Sequence, residues 1–248
     1  ELAVGAKHRE IELLPGVNRG VLVLVVALRG RRGGRRRLGL ARHADVELAQ
    51  QLREAAAFAV RDHGRLPADT QGVAQRRVLL RIETDDISTL MVGPPDVLFA
   101  AMRDLFVSAA ASGEHCVLSA AISRGCPGEP DDAICGAGLS SSRSEPLAER
   151  VEAAIAAVRD TTETGQPTAA QFSLYVMGTG THMDEIYGCI DFLKRSGTFD
   201  RSKNFCTKLR GDAGAIFATI HEAFYRFGDP EGHVTLDITV SANSPSKA

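Results

Sequence analysis

The pattern of apolar and polar residues is clearest in the last third of the chain. Short alternating runs there predict strands, and apolar residues recurring at helical spacing predict helices. The predicted elements are the strand Phe172–Met177, the helix Met183–Arg195, the strands Thr198–Arg201 and Asn204–Arg210, the helix Ala213–Phe227 and the strand His233–Ser241. Their order, β-α-β-β-α-β, is that of the ferredoxin-like unit, in which helices cover one face of a four-stranded antiparallel sheet.

A shift of 118 residues aligns the chain with itself, as His115 and His233 illustrate. The ungapped match runs from Glu83–Gly128 to Arg201–Ser246. Its identical pairs are Thr89 and Thr207, Gly93 and Gly211, Phe99 and Phe217, Ala100 and Ala218, Phe106 and Phe224, His115 and His233, Leu118 and Leu236, Ser123 and Ser241, and Pro127 and Pro245. The apolar positions between them agree as well. We therefore expect an α+β fold with two ferredoxin-like units in tandem.

The first copy shows the second half of the same order. The strands Val78–Glu83 and Ile87–Val92 flank a polar turn. A helix is expected from Pro94 to about Ala111, with proline in its first turn, followed by the strand His115–Ser123. Residues 78–128 are thus predicted to be the remainder of unit 1, and residues 169–248 to be unit 2. Residues 129–168 read as a linker holding one helix, with Ser144 as its N-cap.

Residues 1–77 do not follow this plan. At the same shift, the first strand of unit 2 aligns with Glu54–Ala59, which has no strand pattern. Three interpretations stay open. In the first, unit 1 begins with the strand Val21–Leu28 and the helix His43–His63, joined by the basic loop Arg29–Arg42. In the second, the segment is an insertion. In the third, part of it is translated in the wrong reading frame.

Composition restricts the function. The formal net charge is −2, so no overall positive field draws nucleic acid or anionic membranes to the chain. The longest apolar run, Val21–Leu28, is much shorter than the roughly 20 residues of a membrane helix. Five cysteines without a C-x-x-C pair favour reduced thiols in a cytoplasmic protein over disulfides or a zinc site. Nucleophile-elbow, P-loop and H-E-x-x-H motifs are absent from the sequence, so we expect no enzyme activity, no cofactor and no metal.

Several segments of the two copies resemble the YkoF-like family of thiamine- and hydroxymethylpyrimidine-binding proteins. In unit 2 they are Phe172–Tyr175, Asn204–Gly211 and Ser241–Pro245; in unit 1 they are Thr84–Thr89 and Ser123–Gly128. The resemblance implies tandem ferredoxin-like units, a homodimer, and a ligand site in each unit that serves the salvage or uptake of thiamine precursors. Transporter components would be further partners. We expect neither nucleic-acid binding nor membrane insertion.

An aminopyrimidine presents an amino donor beside ring-nitrogen acceptors, and small polar side chains can match that pattern. The candidate ligand-binding residues are Ser173, Tyr175, Cys206, Thr207, Ser241, Asn243 and Ser244 in unit 2 and Ser88, Thr89 and Ser123 in unit 1. Asp184, Glu185 and Asp237 are carboxylates available to the cationic thiazolium of thiamine. Purely structural roles are the alternatives to ligand binding. They are core packing for Cys206, the end of a strand for Ser123 and Ser241, and turn capping for His115 and His233.

The sequence thus predicts non-enzymatic binding of thiamine or hydroxymethylpyrimidine. Two alternatives remain. One is a regulatory sensor of amino-acid-like molecules on a ferredoxin-like fold. The other is an RNA-binding module that uses Arg29–Arg42, although no aromatic residue is interleaved with that run to stack on bases.

Overall fold

The computed structural model describes residues 20–22, 81–84, 88–125, 145–177, 182–228 and 232–246. Within them lie eight strands and four helices. The strands are β1 (Gly20–Leu22), β2 (Arg81–Thr84), β3 (Thr89–Gly93), β4 (Cys116–Arg124), β5 (Pro167–Met177), β6 (Phe199–Ser202), β7 (Thr207–Asp212) and β8 (His233–Ala242). The helices are α1 (Pro95–Ala110), α2 (Leu147–Arg159), α3 (His182–Arg195) and α4 (Ala213–Arg226).

Two antiparallel sheets organise these elements. One has the order β1-β3-β2, and the other has the order β4-β8-β5-β7-β6. Strand β1 also lies beside β4, so the smaller sheet adjoins the larger one. Helix and antiparallel sheet in this arrangement confirm the predicted α+β class. The division of the chain into two complete ferredoxin-like units goes further and stays a prediction.

The observed boundaries differ from the predicted ones where long-range pairing extends a strand or a turn shortens it. Strand β5 begins at Pro167 because Thr168 pairs with Gly211 on one side and Ala242 on the other. Strand β7 begins only at Thr207, since the amide of Lys203 donates to the carbonyl of Cys206 at 2.8 Å and closes a turn before it. The α2 N-cap is Pro146; the predicted N-cap, Ser144, lies outside the described residues.

Strand β1 overlaps the predicted first strand of unit 1, Val21–Leu28. Its residue Val21 pairs with Val92 of β3, so this short segment joins the smaller sheet. The rest of that prediction, the loop Arg29–Arg42 and the helix His43–His63 all fall on residues that the structure does not describe.

The main core lies between the helices and one face of the larger sheet. Its aromatic centre is the contact between α1 and α4, where Phe99 meets Phe224 and Phe106 meets Phe217, each with ring centroids 5.8 Å apart. Each phenylalanine of α1 aligns with one of α4 at the shift of 118, so the two contacts are equivalent. All four rings are buried.

The pairing of β4 with β8, here called the seam, repeats this reciprocity. Its register centres on Ala120 and Ile238, two residues that are themselves 118 positions apart. On one side of that centre, His115 Nε2 lies 3.1 Å from Ser241 Oγ. On the other side, His233 Nε2 lies 2.8 Å from Ser123 Oγ. The histidines therefore hydrogen-bond across the seam instead of only capping a turn.

The ends of β4 and β8 also cap helices in a reciprocal way. Arg124, the last residue of β4, is 1% exposed, and it donates to the carbonyls of Phe224 and Phe227 at 2.9 and 2.6 Å, at the C-terminus of α4. Asn243, just after β8, donates to the carbonyl of Ala110 at the C-terminus of α1, at 2.8 Å. Hydrogen-bond donors at a helix C-terminus are favourable, because the last carbonyls of the helix carry a partial negative charge.

Helix α2 is fixed against α3 by a largely buried ion pair. The guanidinium of Arg150 contacts both carboxylate oxygens of Glu185, at 2.8 and 2.6 Å. It also donates to the carbonyl of Arg226 at 2.6 Å, while Glu185 accepts the amide of Gly228 at 2.8 Å. One ion pair thus holds α2, α3 and the end of α4 together on the same side of the sheet.

Candidate functional site

The face of the larger sheet that turns away from the helices is polar, and we call it the open face. Strand β8 buries every second side chain and leaves Thr235, Asp237 and Thr239 between them toward the open face. On β5 their direct partners are Tyr175, Ser173 and Gln171. We call these six residues the central patch: Gln171, Ser173, Tyr175, Thr235, Asp237 and Thr239.

Side chains that face each other across an antiparallel pair lie about 4.5–5.5 Å apart between Cβ atoms. Asp237 and Ser173 are such a pair, so a carboxylate and a hydroxyl share one point of the patch. Asp237 is exposed, and Tyr175 keeps 46% of its surface exposed. The patch therefore offers an acid, hydrogen-bonding groups and an aromatic ring to solvent.

The turn between β6 and β7 folds against this patch. Ser173 Oγ donates to the carbonyl of Phe205 at 2.7 Å, and Lys203 Nζ donates to Gln171 Oε1 at 3.1 Å. The Cys206 thiol lies 3.8 Å from the same Gln171 oxygen. These contacts hold the turn in place while the ring of Phe205 is 90% exposed. The turn thus adds a second aromatic ring to the open face.

Four of the predicted site residues therefore lie on or beside the central patch: Ser173, Tyr175 and Cys206, and also Ser123, which is the direct partner of Thr235. Phe205, Gln171 and Asp237 complete it. Of these, Asp237 was noted in the sequence only as an available carboxylate, and Gln171 carried no signal because the predicted strand began after it. Phe205 did carry one: it is an isolated aromatic residue between polar residues in a predicted hairpin.

Thr207 and Thr89 lie elsewhere. Thr207 is the direct partner of Phe172, whose buried side chain packs in the core, so Thr207 points to the helix side of the sheet. Thr89, its counterpart at the shift of 118, is 2% exposed at the start of β3. Ser88 precedes it and is half-buried. The structure does not bring these three residues to the central patch.

Ser123 and the remaining candidates have structural contacts. Ser123 and Ser241 bond to histidines at opposite ends of the seam. Asn243 has a left-handed backbone (φ 54°) and donates to the carbonyls of Ala110 and Glu114. Ser244 Oγ accepts the amide of Ser246 at 3.3 Å in the turn after β8. These contacts account for each residue without a ligand.

Positive charge borders the central patch on the side of β6 and β7. Lys208 is the direct partner of Gln171 on one side and of Arg201 on the other. Asp200 lies 2.9 Å from Lys208 Nζ and 4.0 Å from Arg210 Nε. The hydrogen bond from Lys208, with the charges of Arg201 and Arg210, lowers the pKa of Asp200 below its usual value.

The thiols of the core are not poised for chemistry. Burial raises the pKa of Cys116, and it raises that of Cys189 strongly, so both remain protonated at neutral pH. No group of three or more metal-binding side chains occurs in the part of the chain that the structure describes. Over the same residues, the helices are too short or too polar to cross a bilayer.

Fold and surface together define an α+β protein whose sheet presents polar and aromatic side chains suited to a planar small molecule. The chain belongs to the YkoF-related family, whose model matches residues 70–129 and 167–247. It is 30% identical over 165 residues to the Bacillus subtilis (strain 168) protein named "Putative HMP/thiamine-binding protein YkoF", a match that covers 66% of this chain and 76% of that protein. The resemblance found in the sequence is thereby confirmed.

Proposed function

We propose that the central patch and the Phe205 turn bind thiamine or its hydroxymethylpyrimidine precursor and do not transform it. The observation that carries this proposal is the meeting of an exposed carboxylate, Asp237, with Ser173 and two exposed aromatic rings on one open surface. The name of the Bacillus subtilis relative supports the same ligand class.

The chemistry of such ligands suits these side chains. Asp237 and the Ser173 oxygen can accept hydrogen bonds from the exocyclic amine of an aminopyrimidine, and the amide nitrogen of Gln171 can donate to a ring nitrogen. Tyr175 and Phe205 offer faces on which a planar ring can stack, and a thiazolium cation is attracted both to an aromatic face and to the Asp237 carboxylate.

The affinity should be moderate. Thiamine has about eighteen heavy atoms, and at roughly 0.3–0.5 kcal/mol per atom its binding free energy is about 5–9 kcal/mol. The corresponding Kd lies between about 100 μM and about 1 μM or below. A protein of this kind buffers or delivers its ligand, so we infer a role in the salvage or uptake of thiamine precursors, as a cytoplasmic homodimer that passes ligand to transporter components.

We also infer that both halves are ferredoxin-like units. Strands β8-β5-β7-β6, with α3 and α4 between them in the chain, have the order and connections of the split β-α-β unit. The reciprocal contacts at the seam and between α1 and α4 support a duplicated arrangement, with β1 beside β4 as the corresponding pair in the first half.

Titration calorimetry with thiamine and with hydroxymethylpyrimidine tests the proposed function. Tyr175→Ala and Asp237→Asn should each weaken binding at least about tenfold, through the lost ring contact and the lost charge. Tyr187→Ala is the matched control, because Tyr187 is also an exposed tyrosine, 63% exposed, but lies on α3.

Absence of heat at millimolar concentrations of both ligands would count against the proposal. So would an equal loss of affinity in Tyr187→Ala and Tyr175→Ala. If a panel of amino acids raises Tm while thiamine does not, the regulatory sensor is the better description, since a ligand that binds the folded state stabilises it by mass action.

A further inference from the structure

The hairpin of β6 and β7 concentrates positive charge in a chain whose formal net charge is −2. We call residues 199–210 the basic hairpin. It has a single carboxylate, Asp200. Its basic side chains are Arg201, Lys203, Lys208 and Arg210. The hairpin is therefore strongly cationic, unlike the chain as a whole.

These basic side chains share the open face with the central patch. Lys208 and Arg201 are direct partners, and Lys208 is also opposite Gln171, so the three lie side by side on one face. Arg210 is opposite Ala169, two positions further along β5 and on the same face. Lys203 reaches the patch through its 3.1 Å bond to Gln171.

One carboxylate cannot neutralise this group. Lys208 and Arg210 both approach Asp200, at 2.9 and 4.0 Å, and the charge of Arg201 acts on the same carboxylate. Asp200 is thus shared by three cations, and positive charge remains. Anions are attracted to such a concentration of basic side chains, and arginine binds phosphate with two parallel hydrogen bonds.

The acidic and basic ends of the surface are separated by a distance suited to a single ligand. Asp237 on β8 and Lys208 on β7 are two strands apart, and their rows differ by two residues along β5. With about 4.8 Å between strands and about 3.4 Å per residue, their Cα atoms are about 12 Å apart. An extended small molecule with a hydrogen-bond-donating amino group at one end and an anionic group at the other matches this polarity.

We propose that the basic hairpin is a phosphate subsite, and that the preferred ligand is a phosphorylated form of the pyrimidine or thiamine, with its ring at Asp237 and its phosphate at Arg201, Lys208 and Arg210. This inference rests on the proposed function, since it places the ring on the same central patch. It adds the class of ligand: a phosphomonoester.

Calorimetry with thiamine and with thiamine monophosphate, in low and in physiological salt, tests this inference. The monophosphate should bind at least about fivefold more tightly, the effect of two exposed charge contacts of ordinary strength, and higher salt should reduce the gain. The double variant Arg201→Gln/Arg210→Gln should lose the gain. Lys194→Gln, at an exposed lysine of α3, is the matched control and should keep it.

The outcomes separate the two proposals. Equal affinity for both ligands overturns the phosphate subsite and leaves the proposed function standing. Failure of both ligands to bind overturns both proposals. If a single-stranded RNA oligonucleotide binds more tightly than the monophosphate, with a steep salt dependence that the double variant removes, the basic hairpin is a nucleic-acid surface and the phosphate subsite is wrong. Inorganic phosphate alone, bound as tightly as the monophosphate, would also contradict a shared ligand.

Discussion

The seam and the open face differ in how far the two halves of the chain agree. Along the seam and between α1 and α4, residues 118 positions apart make equivalent contacts, such as His115 with Ser241 and His233 with Ser123. These half-buried histidine–serine pairs lie on the open face as well, but at its exposed positions the correspondence ends: Asp237 aligns with Ser119, and Phe205 with Ile87. Packing against the other half constrains both copies alike, whereas the surface that faces solvent has diverged.

Among the tests of this comparison, the largest change in stability is expected at the aromatic contact between α1 and α4. Phe106→Ala and Phe217→Ala each remove one ring of the same contact and leave a cavity, so each should lower the free energy of unfolding by about 3–5 kcal/mol. The double variant should cost less than the sum of the two, because the rings contact each other. Urea denaturation measures all three. Two transitions at different urea concentrations would show that the halves unfold independently and would break the comparison.

The reciprocal helix caps should differ in strength. Arg124→Leu leaves the carbonyls of Phe224 and Phe227 unpaired in the core, so we expect a loss of about 3 kcal/mol. Asn243→Ala removes a more exposed cap at α1 and should cost about 1 kcal/mol. The control Arg159→Leu, at an exposed arginine, should change the free energy of unfolding by no more than about 0.5 kcal/mol. An equal loss in Arg124→Leu and Arg159→Leu would contradict the buried cap.

Glu222 should make the stability depend on pH. Burial alone would raise the pKa of Glu222. The hydrogen bonds and charges of His221 and Arg226 lower it by more than that, so the net pKa lies below the usual 4.5. Because the folded-state pKa is the lower one, its stabilisation is complete above pH 4.5 and is lost as the pH falls through the folded-state pKa. Glu222→Gln should cost about 1.5 kcal/mol at neutral pH and flatten the acid limb of the stability curve. An unchanged acid limb would contradict this role.

Substitutions on the open face should have the smallest effect on stability. Tyr175→Ala and Asp237→Asn should change the free energy of unfolding by no more than about 0.5 kcal/mol, as is usual for solvent-facing positions. If either variant unfolded the protein, the open face would be a packing surface, and the contrast with the seam would disappear.

The stoichiometry of binding sharpens the same comparison. Because the first half has Ser119 and Ile87 where the second has Asp237 and Phe205, we expect one strong site per chain in calorimetry. Two sites of equal affinity would show that the divergence of the open face has no effect on the ligand.

Local pattern predicted most of the elements, and long-range contact explains what it missed. The alternation of Val234, Leu236, Ile238 and Val240 placed β8 correctly, because burial on one face of a strand leaves a period of two. The shift of 118 drew attention to His115 and Ser241 as repeated positions, but it did not predict their hydrogen bond. These residues are 126 positions apart in the sequence, and only the pairing of β4 with β8 brings them together.

The candidate site was predicted in part for the same reason. Ser173 and Tyr175 follow from strand alternation, which places them on the face opposite Phe172. Thr207 was selected for its identity with Thr89, but that identity reflects a shared position on the helix side of the sheets. The role of Gln171 depends on two partners in the β6–β7 turn, Lys203 and Cys206, and no local pattern reveals them.

The pairing of β4 with β8 has a consequence for solubility. Each is the last strand of its half, and an unpaired one would offer a long row of backbone donors and acceptors to other chains. Their pairing makes β8 an interior strand of the larger sheet, while the outer side of β4 lies beside β1 of the smaller sheet. The outer strand on the other side of the larger sheet, β6, is only four residues long, is interrupted by an irregularity between Phe199 and Arg201, and carries Asp200 and Arg201. Charge and irregularity at that edge discourage the stacking of one molecule onto the next, so the duplication also protects the protein against aggregation.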